Sequence, residues 1–75
     1  MTTRQEWAAL VEEFTAIRER VKKIGYELDD MYAKSRRVAP DLGNLTLKSI
    51  ESAAALTNDL GVIMVTIADR GLGPE

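Results

Sequence analysis

From Trp7 onward the apolar residues return every three or four positions: Trp7, Leu10, Phe14, Ile17, Val21, Ile24, Leu28, Met31 and, after Ser35, Val38. This is a heptad pattern, with Trp7, Phe14, Val21, Leu28 and Ser35 at a and the remaining five at d. A strand alternates every two residues, so the segment can only be a long amphipathic helix with a seam for another helix. Thr3 and Glu6 have the spacing of a capping box at its start. Pro40 disfavours helical geometry at Ala39 and ends it. Lys34, Arg36 and Arg37 suit its negative C-terminal end, and Glu19–Lys23 and Asp30–Lys34 have the spacing of i,i+4 ion pairs. Helix 1 is therefore expected over 4–38.

Pro40-Asp41-Leu42-Gly43-Asn44 is dense in turn-forming types, which predicts a turn over 39–44. Asn44 or Thr46 would then cap helix 2 over 45–70, with Gly71 ending it and 71–75 as a tail. At 100° per residue Ile50, Ala53, Leu56, Thr57, Leu60, Ile63, Met64 and Ile67 share a broad face of this helix. Ser49, Ala53, Thr57 and Gly61 form a row of small residues within it, suited to close packing. Val62 to Ile67 is β-branched enough to suit a strand, but the chain offers no second strand for it to pair with. The expected fold is all-α: one domain, an antiparallel two-helix hairpin with a heptad seam, assembling into a four-helix bundle or a larger oligomer.

Assembly is expected on two grounds. A 75-residue chain encloses little core, and it has neither cysteine nor histidine to staple it with disulfides or zinc. At ~1.5 Å per residue helix 1 would also outrun helix 2 by roughly 13 Å, leaving Trp7, Leu10 and Val11 uncovered. The expected oligomer interface is thus Trp7, Leu10, Val11, Ala53, Leu56, Leu60, Ile63, Met64 and Ile67.

The same residue types limit the chemistry. Ser35, Ser49 and Ser52 have no histidine to activate them. The adjacent carboxylates Glu12-Glu13 and Asp29-Asp30 point about 100° apart on a helix and cannot clamp one metal or share one proton. No enzyme activity, catalytic residue, metal or cofactor is expected. A net charge of −2, with basic and acidic residues interleaved, argues against DNA. The N-terminal residues lack the order of a signal peptide and no unbroken apolar run nears ~18 residues, so a cytoplasmic location away from membranes is expected.

Three features remain. Gly25 costs its helix about 1 kcal/mol relative to alanine, Tyr26 falls on the outer f position, and Arg18 and Lys22 lie one turn apart beside them. The stretch Val21-Lys22-Lys23-Ile24-Gly25-Tyr26-Glu27-Leu28 resembles an [Ile/Val]-Lys-x-x-Gly-x-Glu-Leu segment of small phage proteins that sequester cyclic nucleotides, the anti-CBASS sponges. Thr57, Leu60, Gly61 and Met64 extend the similarity. The resemblance implies helical hairpins in a ring, with a cyclic nucleotide held between subunits by lysine, arginine and aromatic side chains. Arg18, Lys22, Gly25 and Tyr26 are its candidate ligand residues here. The residues by themselves predict a non-enzymatic, self-associating helical protein that presents a surface to a protein partner; the resemblance supplies the alternative of a sponge.

Overall fold

The computed structural model describes residues 2–72, all but the first two of them helical apart from Ala39. Helix α1 spans Arg4–Val38 and α2 spans Pro40–Ile67, followed by a π-helical turn over Ala68–Leu72. The fold is all-α, a helical hairpin, and no strand is present among the described residues. The β-branched segment 62–67 is helical: α1 lies beside it, and an edge of unpaired amides would have no strand to satisfy it.

The start of α1 is fixed by a complete capping box. Thr3 Oγ1 accepts from the Glu6 amide at 3.1 Å, and the Thr3 amide donates to Glu6 Oε1 at 3.5 Å. The turn is much tighter than the expected 39–44. Only Ala39 leaves helical geometry (φ −158°, ψ 131°), and Pro40 opens α2 as its first residue. Proline fits there because its missing N–H would have had no partner in a first turn. The Ala39 carbonyl accepts from the Leu42 and Gly43 amides, so neither Asn44 nor Thr46 caps the helix. Gly43 is buried against Arg36 and lets the two helices part at so short a corner.

Beyond the corner the chain runs back symmetrically about Ala39. Ser35 and Thr46 hydroxyls meet at 3.0 Å, Gly25 faces Ala53, and Arg18 lies on Gly61. At the far end Trp7 covers Gly71, and Arg4 Nη2 donates to the Leu72 carbonyl at 3.0 Å. Starting at Pro40 and continuing to Leu72, the second arm is nearly as long as α1. The expected 13 Å overhang is therefore absent, and half-buried Trp7 and Val11 pack within the hairpin. Gly71 lies within the π turn that continues α2 to Leu72, so it does not end the helical arm; Gly73, Pro74 and Glu75 of the expected tail lie outside the described residues.

A Cβ at Gly71 would fall inside the Trp7 ring. Gly71→Ala is therefore expected to expel Trp7, the single tryptophan, into water. A red shift of its fluorescence emission with little loss of helicity is the result that checks this contact.

The heptad is used unevenly. The a residues Trp7, Phe14, Val21, Leu28 and Ser35 are half-buried against α2, as are the e residues Val11, Arg18, Gly25 and Tyr32. The d residues Leu10, Ile17, Ile24, Met31 and Val38 stay between 38% and 79% exposed. Seam residues of the hairpin are thus a and e, in place of the expected a and d. On α2 only Leu60 and Ile67 are buried apolar side chains, each 7% exposed. The molecule is a rod of 55 × 17 × 14 Å. Its radius of gyration, 16.9 Å, compares with about 11 Å for a compact domain of this length.

The expected i,i+4 ion pairs are corrected. Glu19 pairs with Lys22 at 3.6 Å, not with Lys23, and this is the one ion pair among the described residues, so Asp30 and Lys34 stay apart. Although no unbroken apolar run is long, the helical arm Pro40–Leu72 contains an 18-residue window whose mean hydropathy, 1.3, reaches that of a membrane span. The arm as a whole also carries Asp41, Lys48, Glu51, Asp59, Asp69 and Arg70, spread along it. A core helix of a small bundle reaches the same length and composition.

Candidate functional site

Arg18 is a half-buried charged side chain that ties α1 to α2. It stands at an e position, beside the small-residue row of α2. Its Nε donates to the Thr57 carbonyl at 3.0 Å. Thr57 turns its own hydroxyl back to the Ala53 carbonyl at 2.8 Å, so it leaves that approach open. Gly61 makes the room: a Cβ there would lie 3.5 Å from both Nε and Nη2 of Arg18. No carboxylate lies within 4.0 Å of the guanidinium among the described residues. One of its five N–H groups is thus held by protein, and the planar group is fixed before any ligand arrives.

The guanidinium borders an open groove of about 490 Å³ along α2, lined otherwise by Asn58, Gly61, Val62, Met64, Val65 and Thr66. Apolar walls with a cation and an amide at one side suit an anionic group carried on an apolar or flat body. No group of three acidic side chains that could hold a metal occurs among the described residues.

The other sequence candidates lie along the same ridge of α1. Lys22, one turn beyond Arg18, is half-buried and occupied by Glu19. Tyr26, a further turn on, is 70% exposed. The i,i+4 row drifts away from α2 as it advances, so Arg18 is tucked between the helices while Tyr26 stands outside them. Within one hairpin the row does not close on a common pocket. Gly25 faces α2, where a Cβ would sit 3.9 Å from Ala53 Cβ, an ordinary contact. The residues that sequence reasoning passed over are Thr57, as a carbonyl acceptor, and Asn58, Val65 and Thr66, as groove wall. The signal was present in the row Ser49, Ala53, Thr57, Gly61, whose last member lies level with Arg18 once the helices fold back about Ala39.

Compared with family models, curated proteins and solved structures, the chain finds no match in any of the three.

Proposed function

We propose that the protein is a non-enzymatic helical binding protein that works as an oligomer of antiparallel hairpins, cytoplasmic, and presenting a surface to a protein partner. The observation that carries this reading is the apolar surface left outside the hairpin. Among the described residues only two apolar side chains are buried, while the whole d row and Leu42, Leu45, Leu47, Leu56, Val62, Ile63 and Val65 are exposed. The surface area of 5824 Å² compares with about 4,600 Å² for a compact protein of 8.3 kDa. Exposed apolar area on this scale favours contact with another chain, and a helical bundle is the arrangement that covers two-helix units. Sedimentation equilibrium at micromolar concentration is expected to give a mass well above 8.3 kDa, with thermal stability falling on dilution because assembly and folding are linked. The mass of one chain would sink the reading.

A second reading is favoured by Arg18, a guanidinium held by the Thr57 carbonyl and without a carboxylate partner among the described residues, with Lys22 one turn away. In an oligomer these residues, with Tyr26 from the outer face, can line a pocket shared between subunits, as the resemblance to the anti-CBASS sponges implies. Charge-assisted contacts to phosphate are worth roughly 1.5–3 kcal/mol each. Lys22→Ala or Arg18→Ala should thus weaken cyclic nucleotide binding by about ten- to a hundredfold while the oligomer persists. Calorimetry against cyclic di- and trinucleotides tests this directly. No heat and no thermal shift at millimolar ligand would leave the protein-partner reading alone.

A further inference from the structure

We infer that two copies of the chain dock through the exposed d row of α1, with the two α1 helices antiparallel and a two-fold axis at Ile24. This inference rests on the reading of the protein as an oligomer and specifies its seam. Leu10, Ile17, Ile24, Met31 and Val38 recur every seven residues and leave a continuous apolar stripe on the outside of the hairpin. A strict seven-residue repeat fits a partner helix with the same period, and α1 is such a helix. The second arm extends the stripe sideways. Met31 shares a groove with Leu42 and Leu45, and Leu56 and Ile63 fall within about 20° of Leu45 around α2. Together the exposed parts of these nine side chains amount to roughly 800 Å² per chain, the size of a standard interface.

Charge fixes the direction and the register. The g positions bordering the stripe on its outer side are Glu13, Arg20, Glu27 and Lys34, all exposed. In an antiparallel pair related by a two-fold axis, g positions meet g positions. With Ile24 on the axis, Leu10 lies opposite Val38 of the second copy and Ile17 opposite its Met31. Glu13 then meets Lys34 of the second copy, and Arg20 meets its Glu27, each pair occurring twice by symmetry. Sliding by one heptad in one direction sets Glu13 against Glu27 and Arg20 against itself. Sliding the other way sets Arg20 against Lys34 and Glu27 against itself. One register is complementary throughout, and both neighbours place like charges together.

The absence of native cysteine makes the test direct. Ile24→Cys is expected to form a covalent dimer on mild oxidation. Ile17→Cys and Met31→Cys should cross-link poorly alone and efficiently when mixed. These positions are half-exposed in the hairpin, so helicity at 222 nm should be retained and is measured alongside. Glu27→Arg should raise the dissociation constant roughly tenfold, and adding Arg20→Glu should restore it. An oligomer that sediments normally but shows neither the Ile24 cross-link nor the charge rescue would overturn this seam and leave self-association standing. A monomer throughout would overturn both.

Discussion

Leu60→Ala is expected to cost about 2–5 kcal/mol, the range for removing a large buried aliphatic side chain. Among the described residues only the apolar side chains of Leu60 and Ile67 are buried, and none is wholly enclosed. Little is left to collapse into the space. A domain of 75 residues carries on the order of 4–11 kcal/mol of stability, so the change removes a large part of it. Thermal unfolding followed by circular dichroism, at one fixed protein concentration, should show a fall in midpoint of ten degrees or more, or no folded baseline at all. Ile17→Ala is the comparison. Ile17 is 39% exposed in the hairpin, so its loss should act mainly on association and should fade as the protein is diluted. A shift below two degrees for Leu60→Ala would show that the buried leucine is not what holds the arms together.

Gly43→Val should be nearly as damaging, for a different reason. A Cβ at residue 43 would lie 2.8 Å from Arg36 Cβ and 3.2 Å from Arg36 Cα. Those atoms belong to or adjoin the α1 backbone and cannot swing aside as the end of a side chain can. The one-residue corner at Ala39 fixes both helices, so the clash is relieved only by opening the hairpin. Overpacking of this kind costs about 1–3 kcal/mol and occasionally more. Gly25→Ala is the informative control. Its Cβ would meet Ala53 Cβ at 3.9 Å, and the helix gains about 1 kcal/mol from losing its glycine. Chemical denaturation should thus rank Gly25→Ala above the parent and Gly43→Val well below it. Equal effects of the two substitutions would mean that the corner is not so closely packed.

These contrasts separate what can be read along the chain from what cannot. Sequence alone carried the helical class and the start of α1, because the period of Trp7 to Val38 and the Thr3–Glu6 capping box are local properties. It carried the end of α1 as well, since Pro40 acts on its neighbour Ala39. Packing decided how α2 begins. Asp41 to Asn44 are turn-formers by type, yet Pro40 can open a helix, and a buried Gly43 lets that helix start immediately. That choice lengthened the second arm, removed the overhang and drew Trp7 and Val11 inside. Packing also decided which half of the heptad faces α2. An a/d repeat states that a seam exists; the rotation of α1 about its own axis, set by the small residues of α2, turned a and e inward and left d outside. Arg18 shows the same limit. Its charge is visible in the sequence, but its fixed position depends on the Thr57 carbonyl and the space at Gly61, which come to it only when the chain folds back about Ala39.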